Sequence, residues 1–310
     1  MRILLTGSSG QLGMALRASL PIEINGNPVQ LIATGRNVDS VIGLEPLDLA
    51  DVSQCKEAIQ KHQPDWVLNA GAYTAVDRAE AEPELAHAVN AGAPRALAEA
   101  LAATSSQARF LQISTDFVFN GEQGFPYLPE QPLAPLGVYG ASKASGEQAV
   151  LEVLSAGLHE RASILRTSWV YGPVGSNFLL TMLRLHAQKA KADETLRVVA
   201  DQVGCPTSTL GLAEACWAVI RHEASGVLHW SDAGAASWYD FAVAIGEIGQ
   251  MCGVLDRAAE VQPIQTAEYP TPAKRPPYSL LECNSTRLKL KLPHRHWRSA
   301  LKEVMRHVEK

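Results

Sequence analysis

Short apolar runs alternate with amphipathic stretches along the first half of the chain. Residues 2–6 (RILLT) form an apolar run typical of a buried strand, and Leu12, Leu16 and Leu20 follow it at helical spacing. The same alternation predicts further strands at 31–34, 65–71, 109–115 and 162–172, and further helices at 52–61, 79–104 and 139–154. Strands and helices that alternate in this way predict an α/β fold of the Rossmann type, with a doubly wound parallel sheet covered on both faces.

The alternation of predicted strands and helices ends beyond residue 172. Helical stretches dominate there, and a proline-rich segment lies at 269–279, but no low-complexity linker separates the two parts. We therefore predict a sheet domain over residues 1–172, with parts of 195–235 returning to it. A smaller domain, mainly substrate-binding, is predicted over 173–310 and packs against the first. The helices predicted in it cover 176–190, 209–222, 237–253 and 297–309.

Three glycines follow the first predicted strand and open the first helix. Glycines at such a turn let the backbone approach a pyrophosphate, whose charge is met by amides at the helix N-terminus. This position makes 1–172 a candidate dinucleotide-binding domain, although a tight turn that happens to be rich in glycine is the alternative. The expected cofactor contacts in the turn are Gly7, Gly10, Gln11, Leu12 and Gly13.

The second strand ends at Gly35 and Arg36, where NAD-binding folds often carry an acidic residue for the ribose 2′-hydroxyl. An arginine there can accept a 2′-phosphate, which favours NADPH over NADH. A solvated surface arginine is the alternative interpretation. The other expected cofactor contacts are Asp48 and Leu49 beside the adenine, and Gly71, Ala72 and Tyr73 at the carboxyl end of a strand.

Thr115, Tyr139 and Lys143 are the candidate catalytic residues. Thr115 closes the strand 109–115, so its hydroxyl is expected in the ligand crevice, although a turn cap with Asp116 is an alternative. Tyr139 and Lys143 are four residues apart on a helix and share one face. The lysine ammonium is therefore expected to lower the pKa of the phenol, which makes Tyr139 a candidate proton donor. Both residues would also contact the cofactor.

Composition narrows the class of partner. The formal net charge of −5 provides no basic surplus for nucleic acid, so the partner is expected to be a small molecule. No apolar run reaches the length of a membrane span, which predicts a cytoplasmic protein without membrane contacts. The five cysteines are scattered and the nine histidines form no metal-binding pattern, so a reducing compartment is expected and no zinc site.

Taken together, these motifs resemble the extended short-chain dehydrogenase/reductases over nearly the whole chain. Some of the matching segments are common to many members, whereas the segments at 69–84, 114–119 and 269–276 are more specific. The segments are GSSGQLG (7–13), NAGAYTAVDRAEAEPE (69–84), STDFVF (114–119), PLGVYGASKASGE (135–147), RTSWVYG (166–172), DQVGCPT (201–207) and YPTPAKRP (269–276).

The branch that the chain is most similar to reduces the 4-keto group of dTDP-4-dehydro-L-rhamnose with NAD(P)H. The resemblance implies that Tyr139 protonates the carbonyl oxygen, Thr115 polarises it, and Lys143 holds the nicotinamide ribose. It also implies substrate contacts for Asp116 and Trp169. Arg275 is a candidate for the diphosphate, with a structural salt bridge as the alternative.

Two departures from the family pattern affect these expectations. Some members carry an acidic residue where this chain has Ala15, and it is associated with a metal-bridged dimer, so Mg²⁺ and that mode of dimerisation are in doubt. A homodimer of another kind stays open. Gly35 likewise replaces an acidic residue that some members use for NADH.

Two rival functions are considered. A 4,6-dehydratase would resemble its relatives in an Asp-Glu pair, but Asp116 is followed here by Phe117. Other epimerases and reductases of the same fold stay open. The regulatory subunit of methionine adenosyltransferase is similar to this family and acts as a binding partner, so a non-catalytic role is the second rival.

Overall fold

Seven parallel strands form the central sheet of the protein. The computed structural model describes residues 1–36, 43–155 and 160–309. The strands are β1 (Arg2–Thr6), β2 (Gln30–Gly35), β3 (Glu45–Pro46), β4 (Trp66–Asn69), β5 (Arg109–Thr115), β6 (Ala162–Thr167) and β7 (Gly226–Trp230). Their order is β7-β6-β5-β4-β1-β2-β3, and every neighbouring pair is parallel. The α/β prediction of a doubly wound sheet is confirmed.

Side chains of β1 alternate between two cores, one on each face of the sheet. Ile3 and Leu5 belong to one core, which the first helix and the helix Thr209–Arg221 cover. Leu4 belongs to the other, which the helices Val52–His62 and Ala93–Thr104 cover. Because successive side chains of a strand point to opposite faces, an apolar run is buried on both sides only when helices cover both faces.

The helices connect the strands and build the second half. They are Gln11–Ala18, Val52–His62, Val76–Ala79, Pro83–His87, Ala93–Thr104, Val138–Leu154, Phe178–Lys191, Thr209–Arg221, Trp238–Met251, Asn284–Leu290 and Trp297–Met305, with a π-helical turn at Ala88–Gly92 and 3₁₀ turns at Asp116–Val118 and Thr266–Glu268. Four two-stranded pairs complete the structure: Glu23–Ile24 with Asn27–Pro28, Val170–Tyr171 with Thr207–Ser208, Leu196–Val199 with Val261–Ile264, and Val203–Gly204 with Ala236–Ser237. None of the helices in these ranges is long and apolar enough to cross a bilayer.

The region predicted as one helix at 79–104 is interrupted twice. A short helix ends at Ala79, and Pro83 begins the next one, as prolines favour the first turn of a helix. The π-helical turn Ala88–Gly92 follows. Pro94 has no N–H to donate to the carbonyl of Asn90, and the helical ladder widens at that point.

The strand predicted at 162–172 is also divided. β6 ends at Thr167, and Val170–Tyr171 pairs instead with Thr207–Ser208 outside the central sheet. Trp169 lies between them in the left-handed region, with φ of 47°. The chain therefore turns away from the sheet at Trp169.

The second half forms a core of its own and contributes to others. The helices Phe178–Lys191, Trp238–Met251 and Trp297–Met305 enclose a separate core. β7 forms one edge of the central sheet, and the helix Thr209–Arg221 packs against the helix Gln11–Ala18. Residues 209–230 therefore extend the sheet domain after the chain has already entered the second half.

Candidate active site

The glycine turn after β1 packs closely against the turn after β4. A Cβ at Gly7 would lie 2.5 Å from the Cα of Gly71, and a Cβ at Gly13 would lie 2.2 Å from the carbonyl oxygen of Gly7. The amide of Gly71 also donates to the Thr6 hydroxyl at 3.1 Å. A Cβ at Gly10 would meet only the Gly7 carbonyl oxygen, at 3.2 Å. Gly7 and Gly13 are thus required for packing, whereas a Cβ at Gly10 would have a single close neighbour.

The first helix begins directly after Gly10 and has no side-chain cap. Its first-turn amides are therefore available to an anion, as a dinucleotide pyrophosphate requires. Leu12 is buried in the core and can offer only its backbone. The Gln11 side chain donates to the Val170 carbonyl at 3.2 Å and accepts from Asn177 at 3.2 Å, so it connects this turn to the segment after β6.

The end of β2 lies beside the glycine turn. A Cβ at Gly35 would lie 3.4 Å from the Ser9 hydroxyl oxygen, and Arg36 follows with an exposed side chain. Leu49 is buried, and its Cδ1 atom would be 2.5 Å from a Cβ at Gly71. Positions 35, 49 and 71 therefore lie around the glycine turn, and we call these three positions the rim of the turn.

Asp48 and Tyr73 have their side-chain oxygens occupied within the protein. The Asp48 carboxylate accepts from the amide of Ala50 at 3.0 Å. The Tyr73 hydroxyl donates to the Glu82 carboxylate at 2.7 Å, which raises the pKa of the phenol. Ala72, between Gly71 and Tyr73, is half-buried.

Asn90, which the sequence analysis missed, connects this rim to the candidate catalytic helix. Its side chain accepts from the Tyr73 amide at 2.9 Å and donates to the Ser142 hydroxyl at 3.0 Å. It lies in the π-helical turn, and such turns are frequent at functional sites. The available signal was an asparagine within an alanine-rich helix, four residues before Pro94.

Thr115, Tyr139 and Lys143 come together at the carboxyl end of β5. The Thr115 hydroxyl donates to Asp116 at 3.1 Å and accepts from the amide of Phe117 at 3.2 Å. The Tyr139 ring packs edge-on against Phe117, with 5.6 Å between ring centroids. Lys143 is buried, and its ammonium donates to the Ile113 carbonyl at 2.6 Å.

The pKa of Tyr139 differs in direction from the expectation. Burial raises it to about 12, the hydroxyl of Thr115 lowers it in part, and the Asp116 carboxylate raises it further. Burial also lowers the pKa of Lys143 to about 8, against the opposing effect of Glu147. Desolvation of the phenol and the nearby carboxylate thus set the direction of its pKa, while the Lys143 ammonium donates to the Ile113 carbonyl instead. Tyr139 therefore keeps its proton at neutral pH.

A buried ion pair lies behind Lys143, and it too was missed. Glu147 follows Lys143 by one helical turn and binds Arg166, with 2.7 Å between Nη2 and Oε2. The Ser114 hydroxyl also donates to Glu147. Arg166 donates to the Pro129 carbonyl at 3.0 Å, in the segment that precedes the helix Val138–Leu154. This ion pair joins that helix, β6 and the segment before the helix.

The segments carrying the expected substrate contacts meet on the other side of Thr115. Asp116 is buried, its Oδ2 atom lacks a hydrogen-bond partner within the described ranges, and burial raises its pKa to about 6. The Ser279 hydroxyl lies close enough to this carboxylate to lower its pKa in part. A Cβ at Gly204 would lie 2.9 Å from that hydroxyl oxygen and 2.8 Å from Trp169. Asp116 and Trp169 therefore lie on either side of Ser279 and Gly204.

Arg275 forms the structural salt bridge that was the alternative to a diphosphate contact. Its guanidinium binds Asp77 in a bidentate manner, at 2.8 and 3.0 Å, and also donates to Thr271 at 2.5 Å. This pair fixes the proline-rich segment to the helix Val76–Ala79 and lowers the pKa of Asp77. The diphosphate contact stays a prediction.

The structure also describes the residues considered for metals and disulfides. Ala15 is half-buried on the first helix. No group of three or more His, Cys, Asp or Glu side chains comes together to hold a metal among the residues given above as described. The five cysteines are free thiols, of which only Cys252 is partly exposed.

Comparisons with known proteins show which family this chain is similar to. The family profile described as "RmlD substrate binding domain" matches residues 1–310. A probable dTDP-4,6-dihydroxy-2-methyloxan-3-one 4-ketoreductase of Streptomyces antibioticus is 39% identical over 98% of this chain and 94% of its own length. The dTDP-4-dehydrorhamnose reductase of Sinorhizobium fredii is 39% identical over 92% and 90%.

A solved structure is similar to this chain in both fold and sequence. It is the dTDP-4-dehydrorhamnose reductase of Bacillus anthracis in complex with NADP, with a TM-score of 0.82, 34% identity and coverage of 98% of both chains. The match of the family profile over the full length, together with these relatives, identifies the group. The chain belongs to the RmlD substrate binding domain family.

Proposed function

We propose that this protein reduces the 4-keto group of dTDP-4-dehydro-L-rhamnose to give dTDP-L-rhamnose, with NADPH as the reductant. The observation that carries the proposal is the convergence of Thr115, Tyr139 and Lys143 at the end of β5, on the same edge of the sheet as the uncapped helix after the glycine turn. Membership of the family and the activity named for the Sinorhizobium relative support the same reaction.

The cofactor fits the residues of the glycine turn. Bound NADPH supplies the hydride that the carbonyl carbon accepts. The amides after Gly10 bind the pyrophosphate, and Arg36 lies at the rim where a 2′-phosphate is expected. The NADP complex of the Bacillus relative supports NADPH as the cofactor.

Tyr139 donates the proton that the reduced carbonyl oxygen needs. With a pKa of about 12, its phenol is protonated at neutral pH, and the alkoxide left by hydride addition is a stronger base that can take this proton. To polarise the carbonyl, the Thr115 hydroxyl would redirect its one proton from Asp116 to the carbonyl oxygen. Lys143 has a pKa of about 8, so its ammonium can hold the nicotinamide ribose and help to return a proton to Tyr139. The chain thus provides a proton donor, a polarising hydroxyl and a cation at one strand end.

On the substrate side, Asp116 and Trp169 are the proposed contacts. The unpartnered Oδ2 atom of Asp116 is suited to accept a hydrogen bond from a sugar hydroxyl. The Trp169 ring offers an apolar contact to the sugar nucleotide. For Arg275 to reach the diphosphate, its guanidinium would have to share or leave Asp77.

A coupled assay tests the activity. Purified protein is mixed with dTDP-4-dehydro-L-rhamnose and NADPH, and NADPH oxidation is followed together with the identity of the product. We expect stoichiometric conversion to dTDP-L-rhamnose. If the protein binds NADPH but leaves it unoxidised, the reductase proposal fails and a non-catalytic binding role takes its place.

A second substrate is worth testing in the same assay. The Streptomyces relative is named for a different dTDP-linked 4-keto sugar, and its identity to this chain, 39%, equals that of the Sinorhizobium relative. The two sugars are therefore compared by kcat/KM. A higher value for the second sugar would keep the reaction type and change the substrate.

A further inference from the structure

Trp169 has a backbone conformation that large side chains rarely adopt. Its φ is 47°, in the left-handed region that favours glycine. Hydrogen bonds to the segment 205–207 hold it there. The Trp169 carbonyl accepts from the Thr207 amide at 3.2 Å, and the Ser168 hydroxyl donates to the Cys205 carbonyl at 2.8 Å. Residues kept in sparsely populated conformations concentrate at functional sites.

The Trp169 ring is held between two other residues. The indole of Trp238 stacks on it, with 3.6 Å between ring centroids and 7° between planes. Gly204 lies against it as well, since a Cβ there would be 2.8 Å from Cε2 of Trp169. A side chain at position 204 or a smaller one at 238 would change the space in which the ring sits.

Trp238 is itself fixed. It is the first residue of the helix Trp238–Met251, which a capping box of Ser237 and Asp240 closes. Its indole nitrogen donates to Gln202 at 3.2 Å, and its ring packs against Phe178, with 4.7 Å between ring centroids. Trp238 therefore gives Trp169 a rigid support.

The supported ring lies next to the proposed substrate contacts. A Cβ at Gly204 would also be 2.9 Å from the hydroxyl oxygen of Ser279, which interacts with Asp116 beside Thr115. We propose that Trp238 is a positioning residue that sets the orientation of Trp169 toward the sugar nucleotide. This inference rests on the proposed function and extends it to a residue outside the matched motifs.

Steady-state kinetics of three variants test the proposal. Trp238→Ala removes the support and should raise KM for the keto sugar about tenfold, the upper range for a lost aromatic pair. The Kd for NADPH should stay within about twofold, because the glycine turn is untouched. Trp238→Phe keeps an aromatic support and should stay close to the wild type. The control Trp297→Phe alters the same core at a ring that contacts Phe241 and His296 rather than Trp169, and should leave KM unchanged.

A spectroscopic readout reports the stack directly. Two indoles stacked this closely should give an exciton couplet in the circular dichroism spectrum. Trp238→Phe and Trp169→Phe should each abolish it, whereas Trp297→Phe should retain it. A couplet that survives in Trp238→Phe overturns the stacked geometry on which the proposal depends.

Gly204→Ala provides an independent variant in case Trp238→Ala does not fold. Its methyl group presses on the ring from Gly204, so it too should raise KM for the keto sugar and leave NADPH affinity unchanged. Folded variants with an unchanged KM overturn the inference while the wild-type activity stands. A wild type that oxidises no NADPH overturns the proposed function instead.

Discussion

Glu147 and Arg166 form a bidentate ion pair in the protein interior, with Nη2 2.7 Å from Oε2 and Nε 3.0 Å from Oε1. The side chains are only 1% and 4% exposed, respectively. Such a pair is costly to break from one side, because the remaining charge stays buried without a partner.

Glu147→Gln should lower the free energy of unfolding by about 3 kcal/mol or more for this reason. Denaturant unfolding measures the change. The matched control is Glu152→Gln on the same helix, where Glu152 pairs with Arg95 at the surface and is 63% exposed. That variant should lose less than about 1 kcal/mol. Equal losses in the two variants would contradict the buried ion pair.

The pH dependence of the reduction should show an alkaline limb that belongs to Lys143. Its pKa is lowered to about 8, so the ammonium is present below that pH and is lost as pH rises through it. Tyr139, with a pKa of about 12, stays protonated over the same range. A profile of kcat/KM against pH should therefore decline through about pH 8.

In folded Glu147→Gln the same limb should move to lower pH. The Glu147 carboxylate favours the charged form of Lys143, so its removal lets the ammonium lose its proton more easily. Glu152→Gln serves as the control and should leave the limb in place. A limb that stays unmoved in Glu147→Gln would assign it to another group.

Tyr139→Phe should lower kcat by about 10²–10⁴-fold, because it removes only the proton donor. The edge-on contact with Phe117 needs no hydroxyl, so the fold should be retained. Titration with NADPH should show a Kd within a few-fold of wild type. A large loss of cofactor affinity would instead mean that the phenol has a structural role.

Arg36→Ala should weaken the binding of NADPH by about tenfold and leave the binding of NADH almost unchanged, since only NADPH carries the 2′-phosphate. Fluorescence titration with each cofactor measures both values. Arg184→Ala removes another exposed arginine, on the helix Phe178–Lys191, and should affect neither. Equal weakening of the two cofactors by Arg36→Ala would remove the 2′-phosphate assignment.

Gly10→Ala and Gly13→Ala should separate cofactor binding from packing. A Cβ at Gly13 would lie 2.2 Å from a backbone oxygen, whereas one at Gly10 would lie 3.2 Å from its nearest neighbour. Thermal unfolding should therefore show a markedly lower Tm for Gly13→Ala only. Gly10→Ala should keep its Tm and lose NADPH affinity. A Tm that falls equally in both would mean that both glycines serve packing.

The sheet could be predicted from sequence because local patterns encode it. The apolar run of β1 and the glycine turn after it depend only on neighbours in sequence, and the period of two assigns Ile3 and Leu4 to opposite faces. The proximity of Thr115, Tyr139 and Lys143 also follows, since a strand end and the next helix must meet at one edge of a parallel sheet.

Contacts between distant segments could not be predicted in this way. Glu147 and Arg166, or Trp169 and Trp238, are joined only by the tertiary fold, and each residue alone resembles an ordinary helix or strand position. The direction of the Tyr139 pKa failed for a related reason. Helical spacing predicts that Lys143 shares a face with Tyr139, but it does not predict the burial of the phenol or the proximity of Asp116.

The position of β7 has a consequence for synthesis of the chain. Residues 226–230 pair with residues 163–167 of β6, so β6 has an open backbone edge until they emerge from the ribosome. A fragment that stops at residue 172 would keep that apolar edge uncovered and should aggregate. The central sheet is therefore completed only after residue 230 has emerged, well into the second half of the chain.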